Sequence, residues 1–339
     1  MKELVGKLTA LDPEAGDVLK VVTYFDTLMD GRVSVETLLR GAATLSGVPV
    51  GYRSGSTSTS TSIRVLADGR REDGADPASF PSAAAGAGAV VWLERVGAEH
   101  ANDAMIRERL AMAIAQSAAG RLEQSPERRA VELLLTSPLE SSQRLAAEAR
   151  LQLDPLAPVR AVALPSRAAR GGSFPSTILA TPWGLVRGGI TRADADGLTG
   201  RAGIGVAGKV SELAASWRTA LVALALSDEA NETSHADDLG SLVSLANLIN
   251  DAAEPPADLT ALEKAFAHSW SLAALQALVN GESVRGVAAA AGLHHSSIHA
   301  KLPELSRLLG YDPLAPLGRT RLFAALLLRR VAQARFDAF

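Results

Sequence analysis

The chain has 339 residues, of which 47% are hydrophobic and 21% are charged, with a net charge of −3. This balance excludes a disordered or fibrous chain, and the length predicts about two to three domains of roughly 100 to 200 residues each. The chain contains no cysteine, which excludes disulfides, thiolate metal sites and cysteine nucleophiles and is typical of a reducing environment.

The N-terminal region predicts helices on either side of a group of strands. Residues 17–46 show helical spacing of apolar side chains with a break at Gly31. A long helix is expected over 103–135, and it restarts at Pro126 with Ser125 as N-cap. The Ser/Thr tract at 54–62 is either a loop or a polar strand edge. The apolar segments between these helices predict strands at 48–52, 63–66 and 88–93.

The middle of the chain has the pattern of a small layered domain of strands and helices. A helix is expected at 140–153, and a second at 211–230 begins with Ser211 as its cap. The paired Pro255 and Pro256 indicate a linker, because proline cannot continue the helix predicted at 239–250. The predicted strands are 159–164, a hairpin of 176–180 and 183–187, and 202–207.

The C-terminal region predicts a pair of short helices joined by a tight turn. After a helix at 258–279, a short helix begins at Ser283 and is ended by Gly292, and a second begins near His294. Ile298 and Leu302 in the second helix are spaced to face inward. This arrangement is typical of a DNA-binding helix-turn-helix, although an ordinary helical hairpin has the same pattern.

The charge distribution along the chain favours a polyanionic partner for the C-terminal end. Residues 281–339 contain eight Lys or Arg and four Asp or Glu, whereas residues 1–280 carry a net charge of −7. Such an asymmetry indicates either a nucleic-acid-binding module or a solvated basic helix end. The candidate DNA contacts are Ser283, Arg285, His294, His295, Ser296, Ser297, His299 and Lys301.

Several residues of this region match a known order. His294, the hydroxyl of Ser297 and the run Leu308-Leu309-Gly310 fall at the distances found in the C-terminal helix-turn-helix of PucR/CdaR-type bacterial transcription regulators, which residues 272–331 resemble. The resemblance implies that the second helix is a recognition helix that binds DNA. The chain has His295 and His299 where that family has Arg, and Ala300 where it has an aromatic residue. Pro303 is expected to kink or restart this helix.

The middle region is similar to the degenerate GGDEF-like domain of the same family. The similarity is carried by the glycines of 203–208, by the helix around Trp217 and by Asp237-Asp238. A nucleotide cyclase would need acids on the first strand, but 159–164 has none, and Gly188-Gly189 is interpreted as a simple turn. We therefore expect no catalytic residue, no metal and no cofactor.

The element order of residues 17–120 resembles that of GAF or PAS sensors. Such a resemblance implies a small molecule bound against the sheet, with Tyr52 and Trp92 as candidate pocket residues. The alternative, that both are core aromatics, is the interpretation that the sequence favours.

The sequence therefore predicts a multidomain α+β protein. Its parts would be a GAF/PAS-like α+β sensor (1–136), a ferredoxin-like α/β, GGDEF-like middle domain (137–253) and an all-α helix-turn-helix domain (257–339). The expected function is that of a cytoplasmic transcription regulator without a signal peptide or membrane span, which binds double-stranded DNA as a homodimer or higher homo-oligomer and responds to a small-molecule effector. The alternatives are a regulator that acts through protein contacts alone, and a GGDEF-type nucleotide-processing enzyme.

Overall fold

The computed structural model describes the larger part of the chain, and its fold class is multidomain α+β as predicted. The described residues are 13–55, 61–74, 76–77, 79–86, 88–120, 124–136, 141–168, 174–192, 198, 200–250 and 255–336. Most of the predicted Ser/Thr tract at 54–62 lies outside these residues. Among the helices of the described part, none combines the length and the apolar character needed to cross a bilayer.

The strands fall into two groups along the chain, and helices precede, separate and follow these groups. The helices are α1 (Pro13–Asp30), α2 (Val35–Ser46), α3 (Asp103–Ala118), α4 (Pro126–Thr136), α5 (Ser141–Arg150), α6 (Leu213–Leu226), α7 (Ala236–Leu239), α8 (Ser241–Asn250), α9 (Ala257–Ala265), α10 (Ser271–Val279), α11 (Val284–Ala290), α12 (His295–Leu309) and α13 (Pro316–Ala332). The strands are β1 (Val50–Ser54), β2 (Thr61–Val65), β3 (Arg71–Asp73), β4 (Ser82–Ala84), β5 (Val90–Leu93), β6 (Val159–Pro165), β7 (Ser176–Thr181), β8 (Gly184–Arg192), β9 (Ala202–Ile204) and β10 (Thr233–His235).

Contacts divide the chain into two compact units. The first unit holds residues 1–237 together with 335–339, and the second holds 238–334. Within the first unit, Ile178 and Leu185 of the β7–β8 hairpin belong to the same apolar core as α1 to α3. The boundary that the sequence predicts at 136/137 stays a prediction.

The first sheet is antiparallel, with the order β3-β2-β1-β5-β4. It confirms the predicted succession of two helices, strands and a further helix. The edge strands β3 and β4 were not predicted, because β3 is the exposed, charged sequence Arg-Glu-Asp and β4 is too short to show a pattern. The core beside this sheet includes the fully buried side chains of Phe25, Leu39 and Leu110.

The second sheet has the order β10-β9-β6-β8-β7, with only β9 and β10 parallel. Gly188 and Gly189 lie within β8, so the prediction of a turn at this pair is wrong. A Cβ on Gly188 would come 2.7 Å from Leu179, and one on Gly189 would come 2.2 Å from the Phe174 ring. A larger residue at either position would therefore force the Leu179 side chain or the Phe174 ring to move.

Helix α6 packs directly on the second sheet. A Cβ on Gly203 would lie 2.1 Å from the Ala220 carbonyl, and one on Gly205 would lie 2.1 Å from the Ser216 carbonyl. The predicted cap Ser211 instead lies inside a short 3₁₀ turn before α6, so that prediction is wrong. No helix is present in the described residues between β6 and β7 or between β8 and β9, so the sheet lacks the two crossover helices of a ferredoxin-like domain there.

The second unit is all-helical, from α8 to α13. The single helix predicted at 258–279 is two helices, and at the turn between them the Ser271 hydroxyl donates to the His268 carbonyl at 2.7 Å. The predicted restart at Pro303 is also wrong, since α12 runs unbroken through it. Buried Leu302 and Leu305 anchor the helix on both sides of this exposed proline.

Candidate nucleic-acid interface

Helix α11 begins and ends with local signals that the sequence carries. The Ser283 hydroxyl accepts a hydrogen bond from the Gly286 amide at 3.2 Å, as predicted for an N-cap. At the other end, Gly292 is left-handed with φ 65. The amides of Leu293 and Gly292 donate to the carbonyls of Ala288 (2.8 Å) and Ala289 (3.1 Å), which is the Schellman pattern. These bonds fix the turn between α11 and α12.

Helix α12 has a buried face and an exposed face. Ile298 and Leu305 are fully buried among the apolar side chains of the second unit, together with Val287 of α11. The helix starts at His294, whose Nδ1 accepts a hydrogen bond from the Ser296 amide at 3.4 Å. On the opposite side four residues are exposed, and we call them the α12 outer face: His295, Ser296, His299 and Ala300.

Of the eight predicted DNA contacts, six are exposed in the structure and two are half-buried. The exposed residues are Ser283, Arg285, His294, His295, Ser296 and His299. Ser297 and Lys301 are half-buried. The Lys301 ammonium lies 4.6 Å from the centre of the Trp270 ring, which stacks on His268. Lys301 therefore points toward α10 and is not part of the α12 outer face.

Two further arginines of the basic end are paired with acids of α9. Arg321 donates to Asp258 at 2.6 and 3.2 Å, and Arg329 donates to Glu263 at 2.7 Å. Each guanidinium also covers an aromatic ring, Tyr311 at 4.2 Å and Phe266 at 4.3 Å. The hydrogen bond from Arg321 to Asp258 raises the pKa of this guanidinium.

The net charge of the second unit is lower than the C-terminal count suggested. Residues 238–334 contain eight Lys or Arg and eight Asp or Glu. The surplus counted from residue 281 is offset by acids between 238 and 280, including those of α9. Any attraction of this unit to a polyanion must therefore come from a local arrangement of cations.

Arg307 extends the exposed face and was missed as a candidate contact. Ser296, Ala300, Pro303 and Arg307 are spaced so that they follow one side of α12, and all four are exposed. The spacing of Arg307, seven residues after Ala300, was the signal that could have identified it.

The two histidines of the α12 outer face contact each other. Their Nε2 atoms are 3.3 Å apart, and their rings meet edge to face with centroids 4.6 Å apart. The residues are four apart in one helix, which places them on the same side. The distance between the two nitrogens is within hydrogen-bond range, and the tautomers of the two imidazoles decide which ring donates.

The candidate pocket residues of the first unit do not share a surface. Tyr52 pairs with Val91 and Gly51 pairs with Trp92, so Tyr52 and Trp92 point to opposite faces of the sheet. Tyr52 is half-buried against the core. Trp92 is fully buried, and its indole lies against Gly51, where a Cβ would come within 2.0 Å of the ring. The two side chains cannot form one pocket wall together.

A depression elsewhere in the first unit was not predicted. It has a volume of about 360 Å³ and is lined by Asp30, Arg32, Ser125 and Arg128. Arg128 donates to the Gly31 carbonyl at 2.8 Å, which joins the end of α1 to the start of α4. The residues come from two segments far apart in sequence, so no local pattern pointed to them.

Comparison with known proteins identifies no family for this chain. No known family matches it, and no curated protein matches it significantly. Among solved structures it is similar to a regulator of polyketide synthase expression from Bifidobacterium adolescentis. The two are 17% identical, with coverage of 60% of this chain and 97% of that chain, and the TM-score is 0.25. With so low a TM-score, this similarity supports no conclusion about the fold or the function of this chain.

Proposed function

We propose that this protein is a DNA-binding transcription regulator in which α11 and α12 form the helix-turn-helix. The observation that carries the proposal is the α12 outer face, an exposed polar surface on the first turns of a helix that is itself fixed by a capped neighbour and a tight turn. In helix-turn-helix proteins the N-terminal side chains of the second helix contact base edges. His295, Ser296 and His299 are the residues that would make these contacts here.

Phosphate contacts would come from the neighbouring exposed groups. Arg285 and Ser283 lie at the start of α11, and Arg307 follows the same side of α12 as Ser296. Because the second unit as a whole has no surplus of basic residues, these few cations would account for most of the electrostatic attraction. We therefore expect modest affinity and a shallow salt dependence.

The active form is proposed to be a homodimer. One short recognition helix covers too few base pairs to select a genomic site, and a two-fold axis doubles the contact. Light scattering of the full-length chain, alone and with duplex DNA, gives the stoichiometry directly. A complex with one chain per site would contradict this part of the proposal.

The experiment that tests DNA binding is selection of genomic fragments by the full-length protein, followed by anisotropy titrations on the recovered sequences. We expect His299→Ala to lower the discrimination between a recovered site and random duplex by about 1–3 kcal/mol. Arg321→Ala, a change at a paired arginine, is the control and should leave discrimination intact. If the folded protein selects no fragment at low salt, the alternative of a regulator that acts through protein contacts is favoured.

For effector binding, we propose the depression at Arg32 and Arg128 in place of Tyr52 and Trp92. Two guanidinium groups and the Ser125 hydroxyl outnumber the single Asp30 carboxylate of the lining and suit a small ligand with an anionic group. Thermal-shift screening of small carboxylates and phosphates should give a ligand whose shift is lost in Arg32→Gln. A shift that survives this substitution would place the effector elsewhere.

The absence of an enzymatic activity is likewise a proposal. It is supported by β6, the first strand of the second sheet, which carries no acid, and by Gly188 and Gly189, which lie inside a strand and not in a metal-binding hairpin. Incubation of the purified protein with GTP and Mg²⁺ or Mn²⁺ is the test, and product formation would restore the enzyme alternative.

A further inference from the structure

We infer that His295 and His299 form a binding site for a divalent transition-metal ion. The site lies on the exposed surface of α12, and its two ligands would be the Nε2 atoms of the pair. Two histidines four residues apart on one helix face are a general arrangement for holding such an ion.

The distance between the two nitrogens fits this role. The Nε2 atoms are 3.3 Å apart. Two imidazole nitrogens bound to one Zn²⁺ at about 2.0–2.1 Å with a tetrahedral angle are about 3.3–3.4 Å apart. The ion would therefore replace the proton that the pair shares, with no change in the backbone. Both rings are exposed, so they can turn to direct their lone pairs at one point.

The rest of the coordination shell would be water. In the part of the chain that the structure describes, no group of three or more His, Cys, Asp or Glu could hold a metal ion. A site with two imidazoles and open positions suits Cu²⁺, Ni²⁺ and Zn²⁺, and it does not suit Mg²⁺ or Ca²⁺, which prefer oxygen ligands.

The helix dipole opposes metal binding at this position, but its effect is smaller than the gain from two ligands on one helix. The pair lies in the first turns of α12, where the helix dipole disfavours a cation by about two- to fivefold. Joining two ligands on one rigid helix makes the second contact intramolecular, which raises affinity by about 10²–10⁴-fold over a single histidine. The chelate therefore remains favoured.

The metal site does not depend on the proposed function, but its consequence does. An ion on α12 would add two positive charges to the surface that we propose to face DNA, and it would take up the two rings that we propose to contact bases. Metal would then change both affinity and sequence preference. The binding measurement itself contains no DNA, so failure of one proposal is separate from failure of the other.

The test is a calorimetric titration of the untagged full-length protein with Ni²⁺, repeated with Zn²⁺. We expect saturable binding of one ion per chain, weakened by about 100-fold in His295→Gln and equally in His299→Gln. The matched control is His100→Gln, which removes a histidine exposed in the first unit and should leave the titration unchanged. Circular dichroism establishes that each variant is folded.

Two results would overturn the inference. The first is the absence of saturable binding in the parent protein. The second is an affinity in His295→Gln or in His299→Gln that equals that of the parent, because a two-ligand site cannot survive the loss of either ligand.

Discussion

The α12 outer face and the arginines of α13 belong to the same unit but differ in what their polar side chains contact. On α12, His295 and His299 contact each other, and His294 contacts Ser296. On α13, Arg321 and Arg329 are held by carboxylates of α9 and lie over aromatic rings. A count of basic residues along the sequence therefore does not measure the positive charge that is left unpaired on the surface. The two arginines of α13 are paired within the unit, whereas the side chains of the α12 outer face are exposed, and their hydrogen bonds are to one another or to His294, which directly precedes the helix.

The largest expected effect is a difference in unfolding free energy between substitutions on the buried face and on the exposed face of α12. Ile298→Ala should lower the unfolding free energy of the second unit by about 2–5 kcal/mol, because a fully buried side chain is removed and a cavity remains. His299→Ala, on the exposed side, should change it by no more than about 0.5 kcal/mol. Denaturant unfolding followed by circular dichroism measures both. Similar losses in the two variants would mean that the outer face is part of the structural core.

The second test compares a cation near the proposed interface with one that is paired. If DNA binds as proposed, Arg285→Ala should lower the slope of log affinity against log salt by about one, because one phosphate contact and its counterion release are lost. Arg321→Ala should change the slope less, since Asp258 already pairs with this guanidinium. Anisotropy titrations across a salt series provide the slopes. A larger change of this slope in Arg321→Ala than in Arg285→Ala would contradict the prediction.

The third test concerns the local signal that starts α11. Ser283→Ala removes the acceptor for the Gly286 amide and should cost about 1 kcal/mol. For a unit of this size, that corresponds to a fall in melting temperature of about 4–8 °C. Ser297→Ala, inside α12, should leave the melting temperature unchanged or slightly higher, because alanine is the better helix former. Differential scanning calorimetry of the two variants distinguishes a cap from an ordinary helical position.

The smallest effect is expected beside the paired arginine of α13. Burial and the nearby Asp258 raise the pKa of Tyr311, and they outweigh Arg321, which lowers it. A raised pKa in the folded state means that this stabilising contribution is complete below the unfolded pKa of about 10 and is lost as pH rises through the folded value. Melting temperatures measured at increasing alkaline pH should therefore fall more steeply in the parent than in Tyr311→Phe.

The same variant has a second expected result at neutral pH. The Tyr311 hydroxyl is buried without a hydrogen-bond partner among the residues that the structure describes. Its removal should therefore leave stability unchanged or raise it by up to about 1 kcal/mol. A clear loss of stability in Tyr311→Phe would show that the hydroxyl has a partner in solution.

Local sequence was sufficient for most of the elements and for the geometry of the helix pair. The Ser283 cap and the turn at Gly292 depend on bonds that span at most five residues, and both were predicted correctly. The inward direction of Ile298 and Leu302 follows from helical spacing alone and was also predicted. The edge strands β3 and β4 were missed because their residues have little strand character and are held by pairing with a neighbour.

The features that only the tertiary structure decided join residues far apart in the chain. Arg321 and Asp258 are separated by 63 positions, so nothing local indicated that this charge is neutralised. Lys301 was assigned to the surface by helical spacing, but its ammonium lies over the ring of Trp270, which directly precedes α10. The opposite directions of Tyr52 and Trp92 follow from the register of β1 with β5. Gly188 and Gly189 are in a strand because β8 pairs with β6 on one side and with β7 on the other. Periodicity and capping are set by neighbours along the chain, whereas charge pairing, strand register and close packing are set by whichever distant side chain folding brings into contact.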